Sequence, residues 1–122
     1  MGSRYFSDQE LACKCCGQLP ESGIDERLLQ VLDAMRERVG GPLSISCAYR
    51  CPSHNAEVGG VPNSQHVEGC AADVLCPGEM SVNELAQIAE ECGADGIGRY
   101  YDSLFVHVDT RGYAARWTDQ DA

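Results

Sequence analysis

No apolar run in these 122 residues approaches the length needed to span a bilayer, so membrane insertion is not expected. Basic charge is also scarce. Nine Lys and Arg stand against 19 Asp and Glu, for a formal net charge of −10. Such a surface repels phosphate backbones and anionic lipid, which argues against nucleic acid as a partner and against binding to membranes. The opening Met1-Gly2-Ser3-Arg4-Tyr5-Phe6 lacks the apolar centre of a signal peptide. By this reading the chain has no export signal of its own, unless Gly2-Ser3 marks where a leader was removed. Histidine is sparse too, at three residues, so their placement is informative.

Cysteine, in contrast, is abundant, with eight at positions 13, 15, 16, 47, 51, 70, 76 and 92. An even count permits disulfides, but spacing does not assign connectivity. Without a leader, free thiols or metal ligation compete with bridging. Cys70 and Cys76 flank an apolar stretch and read as core thiols. The length suits one domain, 1–122, with a small core of its own; a monomer is expected.

Phe6 to Leu11 suggests a helical turn, with Ser7 as N-cap and Glu10 three residues on. From Ile24 to Val39 the apolar Ile24, Leu28, Leu32, Met35 and Val39 keep helical spacing. Asp25 and Glu26 in its first turn and Arg36 and Arg38 in its last suit the helix dipole, and Gly40-Gly41-Pro42 stops it. Leu43 to Cys47 alternates like a strand, Pro52 to Val58 suits a short helix, and residues 59–63 form a turn-rich loop. Cys70 to Cys76 reads as a strand. Ser81 and Glu84 form a capping box for a second helix, whose inner face carries Leu85, Ile88, Ala89 and Cys92 before Gly93 closes it. Gly96–Tyr100 and Leu104–Asp109 read as a hairpin, and the tail from Gly112 is polar apart from Tyr113 and Trp117. The mixture predicts one small α+β domain.

The chemistry concentrates in Ser64-Gln65-His66-Val67-Glu68-Gly69-Cys70-Ala71-Ala72-Asp73 and in Phe105-Val106-His107-Val108-Asp109. Two imidazoles and one carboxylate from short neighbouring segments are a ligand set for zinc with one coordination position left for water. His107 and Asp109 alternate along a strand and share a face, about 6.5–7 Å apart along the backbone. One of them can hold a metal while the other holds an imidazole or a reacting water. His54 has no such partner pattern and reads as a surface residue. Cys13, Cys15 and Cys16 suggest a second, structural zinc site, in competition with a disulfide to a distant cysteine, since no fourth ligand stands beside them.

The run Ser46-Cys47-Ala48-Tyr49-Arg50-Cys51-Pro52-Ser53-His54-Asn55, then Val58-Gly59-Gly60, then Ser64-x-His66-x-x-Gly69-x-Ala71-x-Asp73, then Phe105-Val106-His107-Val108-Asp109, resembles the zinc D-Ala-D-Ala carboxypeptidase family. This group of peptidoglycan metallopeptidases includes phage endolysins and the dipeptidases of vancomycin resistance. The hedgehog signalling domain and lysostaphin-type peptidases share its wider fold. The opening Phe6-Ser7-x-x-Glu10-Leu11-x-Cys13-x-Cys15-Cys16 resembles its short phage-associated branch.

The resemblance implies a small antiparallel sheet packed with two main helices. It implies one catalytic zinc on His66, Asp73 and His107, with Arg50 holding a substrate carboxylate or carbonyl oxygen and Ser64 lining the substrate side. It also implies a peptide of the bacterial cell wall as substrate, cut by carboxypeptidase trimming or by endopeptidase cleavage. Release by phage lysis, or a removed leader, would bring such an enzyme to the wall. Two positions depart from the family: Ala48 stands where Gly is common, and Leu104 stands where several members place a carboxylate base. Asp109 is the first candidate for that base and Asp102 the second. The missing base also leaves open a non-catalytic zinc-binding module of the same fold.

Overall fold

The computed structural model describes residues 5–6, 8–13, 17, 19, 23–51, 66–67 and 69–119. The expectations for Ser7, for a helix at 52–58 and for the loop at 59–63 lie outside them, as do His54, Ser64, Cys15 and Cys16. Helices and strands mix as α+β in the order α1 (Asp8–Leu11), α2 (Glu26–Val39), β1 (Ile45–Cys47), β2 (Ala71–Leu75), α3 (Val82–Glu91), β3 (Gly96–Tyr100), β4 (Phe105–Asp109) and β5 (Ala115–Thr118).

Helix α2 buries Leu28, Leu29, Val31, Leu32 and Met35 along one side, as its apolar spacing requires. It starts at Glu26, two residues later than the periodicity suggests. Asp25 instead ties the helix start to the sheet: its N–H donates to the Gly69 carbonyl at 2.9 Å, and its carboxylate accepts from the Thr110 hydroxyl. Helix α3 carries both halves of the expected capping box. The Glu84 N–H donates to Ser81 Oγ at 3.1 Å, and the Ser81 N–H donates to Glu84 Oε1 at 3.0 Å. With the helix phased from that cap, the buried stripe runs through Val82, Leu85, Ala86 and Ala89, leaving Ile88 and Cys92 at its edge.

The sheet has the strand order β1-β2-β4-β3-β5. All neighbours are antiparallel except β3 and β5, which run parallel. The sheet is therefore mixed rather than purely antiparallel, because the tail expected to be merely polar supplies a fifth strand. Alternation sorts the residues onto two faces. Ala72, Val74, Ile97, Val106 and Val108 are fully buried in the core shared with the helices. Asp73, His107 and Asp109 take the other face. Cys70 and Cys76 are half-buried rather than core thiols, and no disulfide joins the described cysteines. Among the described residues no helix is long and apolar enough to cross a membrane.

Candidate metal centre

One row of cross-strand neighbours carries a residue from every strand. Cys47 pairs with Asp73, Asp73 with His107, His107 with Gly98, and Gly98 with Trp117. Paired residues project to the same face of a sheet. The row therefore sets a thiol, a carboxylate, an imidazole, an empty glycine position and an indole side by side. Cys47 joins it through an irregularity in β1. Ile45 opposes Val74 while Cys47 opposes Asp73, so two steps on β1 match one on β2. Such a bulge turns Ile45 into the core and Cys47 toward the polar face.

His66 enters from the turn ahead of β2, where its carbonyl accepts the N–H groups of Arg50 and Gly69, each at 3.2 Å. Its Nε2 lies 3.3 Å from Asp73 Oδ1, and His107 Nδ1 lies 3.1 Å from the same oxygen. The two rings meet edge-on with centroids 5.1 Å apart. Both are almost fully buried, at 5% and 7% exposure. The outward nitrogens are held as well: His66 Nδ1 faces the Ala48 carbonyl at 2.7 Å, and His107 Nε2 faces Asp109 Oδ2 at 2.7 Å.

Outward N–H groups donated to Ala48 and Asp109 leave the inward nitrogens turned on one carboxylate oxygen. Two lone pairs beside an anion repel, so this arrangement calls for positive charge between them, as protons or as a metal ion. Metal bonds of about 2.0–2.2 Å set neighbouring donors of a tetrahedron about 3.3–3.5 Å apart, close to the separations found. A ring nitrogen facing inward with its partner nitrogen bound to a carbonyl or carboxylate is the usual arrangement of a metal-binding histidine. The donor types therefore suit a zinc ion, and among the described residues the group whose donor atoms all lie within 4.8 Å of one another is Cys47, His66 and Asp73.

The charges of the metal-free cluster follow the same logic. Burial opposes a charged His66, but hydrogen bonds and charge from Asp73, with Cys47 assisting, outweigh it and raise the imidazole to about 10. Burial likewise opposes an ionised Asp73, yet His107 and His66 bring it down to about 2.

Asp109 is wholly buried. Its Oδ1 accepts from the Gly96 N–H at 3.0 Å and from Arg111, and its Oδ2 accepts from Arg111 Nη2 at 2.7 Å as well as facing His107. Burial raises its carboxyl, but His107 and Arg111 win and hold it far below the ordinary range. Gly96 has no room for a side chain, since a Cβ there would stand 2.3 Å from Asp109 Oδ2.

Arg50 is half-buried and tied through its backbone to His66. Asp102 lies exposed in the turn at 101–104, its N–H donating to Asp119 Oδ2. Leu104, in the same turn, is 58% exposed. The Sγ of Cys13 accepts from the Cys51 N–H at 3.4 Å; the remaining members of the suggested second zinc site, Cys15 and Cys16, lie outside the described residues. Sequence reasoning did not single out Cys47, whose Sγ lies 3.7 Å from His66 Nδ1 and which groups with His66 and Asp73 through donor atoms within 4.8 Å of one another. It also passed over Arg111 and Trp117. Their signals were faint: an alternating strand position, and a basic and an aromatic residue in a polar tail.

The sequence pattern of peptidase M15 matches residues 4–109. Over 95 residues the chain is 30% identical to the probable peptidoglycan L,D-endopeptidase MepK of Haemophilus influenzae, covering 71% of this chain and 50% of that protein. Over 88 residues it is 34% identical to the zinc D-Ala-D-Ala carboxypeptidase of Streptomyces albus G, covering 70% of this chain and 34% of that protein. The matches thus span half or less of these relatives' length.

Proposed function

Because this chain belongs to the peptidase M15 family, we propose that it is a zinc-dependent peptidase hydrolysing amide bonds in the peptides of bacterial peptidoglycan. Zinc is expected for peptidases of this family. The observation that carries the reading is Asp73 Oδ1 shared by His66 Nε2 and His107 Nδ1, with both outward nitrogens already engaged. His66, Asp73 and His107 would hold the ion. Zinc supplies Lewis acidity at such a centre, bringing the pKa of water to about 7 and polarising a carbonyl.

The chain's own residues set the geometry. The Ala48 carbonyl and the Asp109 carboxylate fix how the two rings are turned. In this reading Asp109 serves His107 and is not the base that takes a proton from water, because both of its oxygens are occupied and none of its surface is open. Arg50, anchored beside His66, binds a substrate carboxylate or carbonyl oxygen through its planar fork; Ser64, to which the family resemblance gives a substrate-side role, lies outside the described residues. Both relatives act on peptidoglycan or D-Ala-D-Ala by name, so stem trimming and cross-link cleavage both fall within the proposal.

The exposed Leu104, with Asp109 engaged elsewhere, favours a second reading: a zinc-binding module that recognises the wall without cutting it. One experiment separates the two. Purified peptidoglycan is incubated with zinc-loaded protein, with and without chelator, and the released muropeptides are identified by mass spectrometry. Chelator-sensitive products are expected, and their masses name the bond. Zinc-loaded protein that binds the wall and releases nothing would overturn the peptidase reading and leave the module.

A further inference from the structure

Residues beyond 109 fall outside the segment that matches the family, yet they build the wall against which His107 rests. Trp117, the single tryptophan of the chain, stands two places from His107 in the cross-strand row, with ring centroids 5.0 Å apart and planes tilted by 52°. The glycine between them makes this approach feasible: a Cβ on Gly98 would lie 2.5 Å from Trp117 Nε1. That Nε1 donates to the Tyr100 hydroxyl at 2.9 Å, which sets the rotation of the indole. The Arg111 guanidinium lies over the same indole, 5.1 Å from its centroid, while it grips Asp109 through Nε and Nη2.

We propose that Trp117 is a positioning residue for His107, and that β5 with Arg111 is a buttress completing the metal centre from outside the family-matched segment. Two kinds of restraint act on one ring. Hydrogen bonds hold it at both nitrogens, to Asp109 through Nε2 and to Asp73 through Nδ1, but they still let an imidazole rock about the line joining those nitrogens. Trp117 blocks the rocking by contact. With both in place, His107 Nδ1 stays aimed at Asp73 Oδ1 before any ion arrives, so less ordering remains to be done on binding. Arg111 couples the two restraints by holding the carboxylate and covering the indole at once. The inference rests on the zinc reading above.

The test measures zinc affinity of the metal-stripped protein by competition with a chromogenic chelator, with circular dichroism as a check of folding. Trp117→Ala is expected to weaken zinc binding by about 10–100-fold, the usual effect of removing support behind a metal ligand. Trp117→Phe, which keeps a flat ring, is expected to restore most of that loss. Gly98→Ala is expected to behave like Trp117→Ala although the tryptophan is retained, because the new methyl displaces the indole. In the wild type, zinc is expected to change the emission of the lone tryptophan, because the ion binds the imidazole that lies beside the indole. A folded Trp117→Ala with wild-type zinc affinity would overturn the inference. Should that variant not fold, unchanged affinity in Gly98→Ala, or unaltered wild-type emission at zinc saturation, would overturn it equally. A wild type that binds no zinc would overturn the zinc reading and this inference with it. Equal binding by wild type and Trp117→Ala overturns this inference alone.

Discussion

His107 and Asp109 occupy alternate positions of β4, and the Nε2 of the first lies 2.7 Å from Oδ2 of the second. Strand geometry puts both on one face, and the imidazole spans the gap so that its far nitrogen reaches Asp73. A carboxylate two residues after a histidine thus orients that histidine within a single strand.

The role of Asp109 can be read from Asp109→Asn. The amide keeps the size but loses the charge, and the N–H groups of Arg111 and Gly96 lose their best acceptor. Buried donors left short of partners cost about 1–3 kcal/mol, to be seen as a lower denaturation midpoint. Zinc affinity should fall by about 10–100-fold, and peptidase activity should return once zinc is supplied to saturation. Activity that stays lost at full zinc occupancy would restore Asp109 as the proton acceptor.

Asp73 is the hub between the two imidazoles, so Asp73→Ala should reduce bound zinc from one ion per chain to none by elemental analysis. Wild-type protein should gain about 2.7 kcal/mol of stability when free zinc is 100 times its dissociation constant. Calorimetry should show that gain for the wild type and none for the variant. A variant stabilised by zinc as strongly as the wild type would place the ion elsewhere.

In the metal-stripped protein, pH should act on both sides of a plateau. Asp73 is depressed from 3.8 to about 2, so its contribution is present above 3.8 and is lost as pH falls toward 2. His66 is raised from 6.5 to about 10, so its contribution is complete below 6.5 and is lost as pH rises toward 10. The midpoint of chemical denaturation should therefore be highest between about pH 4 and 6.5. Zinc should shift the optimum upward, because the ion replaces the His66 proton. A metal-free stability that keeps rising from pH 6.5 to 9 would contradict the charge assignment.

Gly96→Ala should destabilise the protein by about 1–3 kcal/mol through crowding in a packed interior. The methyl would overlap the Asp109 carboxylate, so zinc affinity should fall along with the denaturation midpoint. An alanine variant with wild-type values for both would mean that Asp109 has space to move aside.

Much of this was open to reading along the chain. The apolar spacing of α2 and the Ser81–Glu84 cap of α3 depend on neighbours within a few residues, and both are present in the fold. The family resemblance, drawn from four short motifs, is matched by the peptidase M15 pattern over residues 4–109. Other features stayed hidden. Strict alternation places Ile45 and Cys47 on one face, and a bulge separates them. Trp117 looked like an isolated aromatic in a polar tail because its partners, Gly98 and Tyr100, are 17 or more residues away. Asp109 read either as a base or as a partner holding His107, and nothing local announces that Arg111 and the Gly96 N–H also converge on it.

Residue type and short-range spacing determined the α+β class, the two main helices and the identity of His66, Asp73 and His107 as candidate ligands. These are properties of periodicity and side-chain chemistry that survive without knowing what lies across the sheet. The tertiary structure alone decided that Asp73 stands between the two histidines, that Arg111, His107 and the Gly96 N–H converge on Asp109, and that a fifth strand brings an indole against His107. Each of those depends on strand order and register, which are settled by packing between segments distant in the chain.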